Sequence, residues 1–539
     1  MGPLFWDISD YCRHKPSEEE IGIYLSRREY SLLATLKQGV VRLELQFMKK
    51  EFPYLRALIS ETQMQEQTQE VRIPDGMPDV GRVICGWGQL LVRGKQWRPG
   101  SIGVNGGVMA WVLYVPENGD RPQPVEAWIP FQMKWDMEEI VQNGTITVTP
   151  FLRAVDARSV SARKLLIRAE IGLSVQARCT DHIHTYMPQE APEDICVKTM
   201  IYPVKLLSEA GEKAFSIQDK IDVSSLPVPV ETIIYYSLLP GATEKKFLAD
   251  KLLFRGSALM HLLYWGTDER LHVADMEFPF SQYCELENAY DEEAECGIVF
   301  AVTDMELQKD QEGNLQLKSG LLAQYNIQSN TEVQVVEDAY STQKETQLQT
   351  ESVKIPAVLD TVMQTATVRQ SEGISGMEIL DAVFYPGVPG LYRDDEGITA
   401  ALSGQISMLT IDMTGELQCV QNEWEQEQSI PADSQVGVEM QILPAGPWIT
   451  TADGGFGTDV QMQISLLNEK EIQILTGITM GEEKQTDPDG PSLILCRPGE
   501  RSLWDIAKST GSTVDAIKKA NELNGEPREN KILLVPVIA

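Results

Sequence analysis

The sequence predicts a mainly β protein, with three tandem antiparallel β-sandwich-like repeat domains followed by a small βααβ module. A glycine-led apolar stretch recurs with the same eight-residue step at 106–114, 256–264 and 404–412. Its glycines, Gly106, Gly256 and Gly404, lie 150 and then 148 residues apart, which indicates a diverged repeat. Helix signals of comparable strength occur only in the tail, so helices are expected there alone.

Each predicted repeat closes with a strand in which apolar and polar residues alternate. Alternation with a period of two puts the apolar side chains on one face of a sheet. Turns rich in Gly, Pro and Asp, such as 116–120 and 452–455, separate the strands. The apolar positions are Leu165, Ile167, Ala169, Ile171, Leu173 and Val175 in the first repeat, Leu315, Leu317, Leu321, Ala323, Tyr325 and Ile327 in the second, and Val460, Met462, Ile464 and Leu466 in the third.

Domain bounds are placed where this pattern changes. The repeat domains are predicted over 48–200, 201–352 and 353–480, the linker over 481–491, and the terminal module over 492–538. Residues 1–47 carry no repeat marker. They are interpreted as a disordered N-terminal extension, or as sequence upstream of a true start near Met48.

The tail is predicted as strand, helix, helix, strand. The strands are 493–496 and 531–536. Ser502 is placed to cap a first helix over 503–509, because its hydroxyl can accept an unpaired backbone N–H. Ser512, with Asp515 three residues later, resembles a capping box for the second helix.

Length, charge and cysteine spacing limit the kinds of function that the chain can have. The chain has 539 residues, too many for one core, and 46 Lys+Arg against 79 Asp+Glu give it a net charge of −33. A polyanion of this size repels nucleic acid and anionic membranes. No secretory signal or spanning segment is visible, and the eight cysteines are scattered without a CxxC pair, so we expect a cytoplasmic protein with reduced thiols.

Residues 179–184 contain side chains of the kinds that ligate metal ions. Cys179, His182 and His184 bring ligand-type side chains together along a predicted strand, but a surface strand end explains them equally well. We therefore expect no metal and no cofactor.

Clusters of carboxylates, which could serve in acid–base catalysis, also occur in the chain. The acidic clusters 138–139 and 291–293 are typical of solvated loops in so acidic a chain. Asp75 and Asp79 lie in a turn, where Asp side chains commonly cap the backbone. No phosphate-binding loop and no nucleophile elbow occurs, so the sequence predicts a protein that is not an enzyme.

The tail resembles the LysM family in its residues 498–499, 503–507, 512–514 and 520–523. That resemblance implies a groove between two loops that holds sugar. The first loop, 498–504, is one residue longer than is usual in the family, and the second, 524–530, is shorter and lacks the aromatic-Pro-Gly element. The altered loops favour protein docking, with a contact surface predicted at Glu500, Arg501, Trp504, Asn521, Leu523 and Asn524.

The repeats resemble the sporulation-associated SPOCS (DUF3794) family of clostridial coat morphogenesis proteins. The first repeat carries the resemblance best, in 73–80, 108–114, 129–131 and 161–165. The two resemblances imply a mother-cell scaffold at the forespore surface that binds a SpoIVA-type coat ATPase. The alternative is a binder of peptidoglycan or N-acetylglucosamine at the cell wall or spore cortex.

Overall fold

The computed structural model describes residues 32–37, 40–45, 47–119, 121–188, 192–370, 377–395, 397–443, 449–450, 456–484, 491–525 and 532–538, with side chains from residue 47 onward except at 223, 449–450 and 456. Within these residues the chain is built almost entirely of antiparallel strands up to the tail, and its two α-helices lie in the tail. The predicted fold class is confirmed.

The first repeat consists of six strands in two three-stranded sheets. One sheet has the order β4-β5-β6 and the other β3-β8-β7. The core between them draws residues from both sheets, which makes the repeat a sandwich. The strands are β3 (Phe47–Arg72), β4 (Val80–Arg98), β5 (Ser101–Pro116), β6 (Gln123–Asp136), β7 (Thr145–Ser161) and β8 (Lys164–Pro188).

The second repeat has the same six strands in the same pairing. Its sheets have the orders β10-β11-β12 and β13-β14-β9. A short 3-10 turn, Val223–Ser225, precedes β10. The strands are β9 (Ile195–Ile221), β10 (Val230–Leu248), β11 (Lys251–Gly266), β12 (Leu271–Glu285), β13 (Glu295–Lys309) and β14 (Leu315–Ser341).

The third repeat keeps this plan with additions. Strands β16 and β17 together take the place of one edge strand beside β18, and β20 and β21 together take the place of one strand beside β22. The N-terminal strands β1 (Leu32–Lys37) and β2 (Val40–Leu45) extend the sheet of β22. The other strands are β15 (Lys344–Gln370), β16 (Met377–Pro386), β17 (Gly390–Asp394), β18 (Gly397–Asp412), β19 (Leu417–Ile430), β20 (Gly437–Leu443), β21 (Ile449–Thr450) and β22 (Phe456–Glu483).

The sheets group the strands over 47–188, 195–341 and 344–483. The boundaries predicted at 200/201 and 352/353 fall inside β9 and β15, whereas 481–491 begins within the last residues of β22. Residues 1–31 lie outside the described residues. We propose the strand grouping as the domain division.

The alternating residues of the closing strands are buried as predicted. All six apolar positions from Leu165 to Val175 are fully buried, and their counterparts in β14 and β22 are buried as well. The side chains between them point to the other face of the sheet. One face of each long strand, β8, β14 and β22, therefore lines the core of its sandwich.

The recurring glycine occupies the same place in each repeat. A Cβ on Gly106 would overlap the Leu91 carbonyl oxygen, and one on Gly256 would overlap the Gly241 carbonyl oxygen. Gly404 faces the ring of Phe384 as closely. At this position the central strand of each sheet lies so close to the neighbouring strand that only a residue without a side chain fits.

In the first two repeats the residue eight positions after the glycine is a tyrosine with the same role. The Tyr114 hydroxyl donates to the Pro78 carbonyl at 2.9 Å, and the Tyr264 hydroxyl donates to the Val228 carbonyl at 3.1 Å. In the third repeat Asp412 stands in this place, and its carboxylate instead accepts N–H groups within its own turn.

The three repeats pack around a common centre. The equivalent strands β8, β14 and β22 all contact one another. Trp87 of the first repeat stacks on Tyr235 of the second at 5.5 Å between ring centroids. His261 of the second repeat contacts Asp381 of the third at 3.0 Å. The arrangement has approximate threefold symmetry, with a different sequence in each third.

The tail module consists of β23 (Leu493–Cys496), α1 (Leu503–Thr510), α2 (Val514–Asn521) and β24 (Leu533–Pro536). Ser502 caps α1 as predicted and forms a reciprocal capping box with Asp505. The prediction that Ser512 caps α2 is wrong. Thr513 is the cap and accepts the N–H of Ala516 at 3.1 Å, because Ser512 is buried beneath a tyrosine of the second repeat.

Candidate docking site of the tail module

The tail module is seated on the end of the second repeat through Asp338, near the end of β14. The indole Nε1–H of Trp504 donates to Asp338 Oδ2 at 2.8 Å. The ammonium group of Lys508, one turn further along α1, lies 2.7 Å from Asp338 Oδ1. One carboxylate therefore holds both a tryptophan and a cation of α1, and the half-buried setting strengthens these contacts relative to water.

Tyr340, two residues further along β14, also contacts the tail module. Its ring meets the Trp504 ring edge to face, with centroids 4.9 Å apart, and its hydroxyl donates to the Ser512 carbonyl at 2.8 Å. Burial is the main cause that raises the pKa of this hydroxyl, followed by a hydrogen bond with Cys196. Tyr340 belongs to the same apolar cluster as the core of the module, so module and repeat share one core here.

Three of the six predicted contact residues are exposed. Glu500 lies in the first loop, and Asn524 lies at the start of the second. The Arg501 side chain donates to Cys496 Sγ and to the Arg497 carbonyl, each at 3.2 Å, and so lies along the end of β23. These three side chains are available to a partner.

The other three contribute to contacts within the chain. Trp504 is engaged by Asp338 and Tyr340. The Asn521 side-chain amide donates to the Leu534 carbonyl at 2.6 Å and accepts the Leu534 N–H at 2.8 Å, which joins α2 to β24. Leu523 packs against the core of the module. Their role in partner binding stays a prediction.

The first loop has a defined shape, while most of the second lies outside the described residues. Gly499 has a φ of 56°, a left-handed conformation that suits glycine, and the Arg501 N–H donates to the Pro498 carbonyl at 3.1 Å. Residues 526–530 are among those that the structure does not describe. The predicted change in the second loop is therefore neither supported nor contradicted.

The outer face of the two-stranded sheet carries an apolar surface that was not predicted from the sequence. Leu495 is 69% exposed and Ile532 51%, and Leu493 and Leu534 are also exposed, with Leu495 directly opposite Leu534. We call these four side chains the outer aliphatic face. A signal was present, since 493–496 and 533–536 are apolar at successive positions although a small module needs only one apolar face.

Asp75 and Asp79 lie in a loop that Arg163 holds together. The Arg163 guanidinium lies 3.0 Å from Asp79 and donates to the carbonyls of Met77 at 2.6 Å and Pro74 at 2.8 Å. The two motifs that carry the resemblance of the first repeat, 73–80 and 161–165, therefore contact each other, and their polar side chains stabilise a loop.

The remaining candidates have local partners. Asp181, between Cys179 and His182, binds the Arg56 guanidinium at 2.7 Å, and Glu139 binds the other end of the same group. Asp291 accepts backbone N–H groups in its own turn. Among the described residues, no group of three or more His, Cys, Asp or Glu side chains is arranged to hold a metal ion.

Three β-sandwich repeats that share one centre, with a βααβ module seated on the second of them, define a β-repeat protein with a binding module at its C-terminal end. Residues 229–310 match the family model described as the SipL, SPOCS domain, and residues 497–536 match that of the LysM domain. No curated protein and no solved structure matches the chain.

The SPOCS match covers β10 to β13 of the second repeat, although the sequence analysis found the resemblance clearest in the first. Both matched families are non-catalytic, and together they fit a sporulation protein with a peptidoglycan-binding type of module. The predicted family resemblances are confirmed over these residues. No described helix has the length and apolar character needed to cross a bilayer.

Proposed function

We propose that the chain is a non-enzymatic scaffold of endospore formation. Its LysM module docks to a SpoIVA-type coat ATPase on the mother-cell side of the forespore and thereby attaches the spore coat. The SPOCS and LysM matches support the sporulation setting, and the resemblance to coat morphogenesis proteins supplies the partner. A repeat body that carries a linked binding module raises the local concentration of its partner without chemistry.

The observation that carries the docking proposal is the outer aliphatic face. Trp504 is engaged within the chain, whereas Leu493, Leu495 and Leu534 are exposed on the module itself. An exposed apolar patch on an otherwise acidic, well-solvated chain is typical of a protein interface. Arg497 and Arg501 lie at one end of this face and add positive charge. The contact surface then consists of the outer aliphatic face together with Glu500, Arg501 and Asn524.

The alternative function is binding of peptidoglycan, which the LysM match favours. A glycan ligand would use polar groups of the loops, and it would not need the outer aliphatic face. Substitutions on that face therefore separate the two functions.

The test compares Leu495→Arg with Ile140→Arg in the full chain. Both positions are exposed aliphatics, and Ile140 lies in a loop of the first repeat. We expect Leu495→Arg to weaken capture of the purified coat ATPase at least tenfold, because a buried unpaired charge opposes docking, and Ile140→Arg to leave capture unchanged. Retention on insoluble peptidoglycan with no capture of the ATPase by the native chain would refute the docking proposal and establish the alternative.

A further inference from the structure

A cavity of about 420 Å³ lies where the three repeats meet. Each repeat has a β-bulge at the equivalent point of its first strand, between Ala57 and Ile59, Leu207 and Glu209, and Val358 and Asp360. Ala57, Leu207 and Val358 all line the cavity. The three bulges thus open a space near the approximate threefold axis that one repeat alone cannot form.

The walls of this axial cavity are rich in cations for so acidic a chain. Four cations and two carboxylates line it, although the whole chain carries a net charge of −33. Lys354 and Glu469 are each about two-thirds exposed and mark the mouth, whereas Arg178 lies deep in the wall. The charged lining residues are Arg56, Arg178, Lys205, Lys354, Glu439 and Glu469.

Arg178 has hydrogen-bonding capacity that its neighbours do not use. Its side chain is only 8% exposed, and its Nη2 lies 3.3 Å from Glu439 Oε2. The same Glu439 oxygen also accepts from Gln176 at 3.0 Å. Nη1 of Arg178 is buried and has no partner among the described residues. A buried guanidinium N–H without an acceptor costs free energy. A ligand that supplies an acceptor to Nη1 of Arg178 would therefore bind favourably here.

Neutral donors surround the same space. The amides of Asn326, Gln328 and Gln463 and the hydroxyl of Ser465 line the cavity beside Arg178. A small anion bound here would meet the buried guanidinium of Arg178, the ammonium group of Lys354 at the mouth and amide donors of the wall, a combination that suits carboxylate and phosphate oxygens.

We propose that the axial cavity binds a small oxyanion through carboxylate or phosphate oxygens, with Arg178 as its main contact and Glu439 as the group that competes for Arg178. A cavity of this volume suits a small-molecule ligand. Because strands of all three repeats form the walls, the bound anion stabilises the assembly of the repeats by mass action.

The test measures the midpoint of thermal unfolding of the full chain as inorganic phosphate or citrate is added at constant ionic strength, with chloride as the baseline. We expect a rise that depends on the concentration of at least one oxyanion. A rise with phosphate alone assigns a phosphate site, and a rise with citrate alone assigns a carboxylate site. No rise with either anion overturns the proposal.

Two variants of the same strand decide whether the effect belongs to the cavity. Arg178→Gln is expected to weaken binding at least tenfold, because it removes the charged donor. Arg168→Gln removes an exposed arginine of β8 that pairs with Asp156, and is expected to bind within about twofold of the native chain. If both variants lose anion binding equally, the effect comes from general electrostatic screening and not from the cavity, and the proposal is overturned.

A third variant keeps the test decisive if Arg178→Gln does not fold. Glu439→Gln removes the competing carboxylate while it keeps a similar shape. We expect it to bind the effective anion at least threefold more tightly, since the repulsion between two anions is lost. Unchanged or weaker binding by Glu439→Gln overturns the proposal.

Discussion

Trp504 donates its indole N–H to the carboxylate of Asp338 at 2.8 Å, across 166 residues of chain. This bond orients α1 of the tail module on the second repeat, and Tyr340 packs against the same indole ring. The residue that the sequence assigned to a partner surface is thus also a contact between two parts of one chain.

The coupling between these two residues can be measured with a double-mutant cycle. Trp504→Phe keeps an aromatic ring without the N–H, and Asp338→Ala removes the acceptor. We expect a coupling of about 1–2 kcal/mol in the free energy of unfolding, because the bond is half-buried and charge-assisted. Trp504→Phe combined with Asp156→Ala, far away in the first repeat, is expected to be additive. Additivity in both cycles would mean that the contact between Trp504 and Asp338 does not stabilise the packing of the tail module on the second repeat.

The recurring glycine can be tested against a neighbour. Gly256→Ala would place a methyl group against the Gly241 carbonyl, and we expect a loss of roughly 2–4 kcal/mol of stability. Gly241→Ala on the adjacent strand meets nothing within 4 Å and is expected to change stability by less than about 0.5 kcal/mol. Urea unfolding followed by circular dichroism measures both, and equal effects would remove the steric explanation.

The recurring tyrosine makes a further pair of tests. Tyr114→Phe and Tyr264→Phe each remove one hydrogen bond to a backbone carbonyl, and each is expected to cost about 1 kcal/mol. Tyr392→Phe, on an exposed edge strand, serves as the control and is expected to have almost no effect. The urea midpoints of the three variants are the readout. A cost confined to one of the two repeats would argue against their equivalence.

His261 predicts a loss of stability at alkaline pH. Burial acts to lower the pKa of His261, but the carboxylates of Asp381 and Asp275 outweigh it and raise the pKa to about 10. Since the folded pKa lies above the ordinary histidine value of 6.5, the stabilisation is complete below about pH 6.5 and is lost as the pH rises towards 10. Its size is on the order of a few kcal/mol.

The measurement compares the pH dependence of unfolding in the native chain, in His261→Gln and in His272→Gln. We expect His261→Gln to flatten the decline between pH 6.5 and 10. His272→Gln removes a histidine that contacts Asp268 at 2.9 Å in the same repeat, and it should keep the decline. An unaltered slope in His261→Gln would assign the alkaline loss to other groups.

Local patterns predicted much of the fold. The alternation from Leu165 to Val175 reports directly which side of a strand faces the core, and the Ser502 cap depends on residues only three apart. The cap of α2 was misassigned for the opposite reason. Ser512 is removed from the cap by Tyr340, 172 residues away, and no local pattern contains that contact.

The candidate sites were less predictable because they depend on contacts between repeats. Arg178 and Glu439 are 261 residues apart, and neither lies in a recognisable motif. The outer aliphatic face was visible in the sequence as two short apolar strands, but which of their side chains face solvent follows only from the folded module. Sequence spacing identifies the repeats, while the way they pack decides where ligands can bind.

The approximate threefold body has a consequence for stoichiometry. In a trimer of identical subunits, each subunit would carry a tail module, and every substitution would occur in all three subunits. Here one chain forms all three lobes, and the single module rests on the second of them. The body is therefore asymmetric, because only one of its three described lobes carries the tail module.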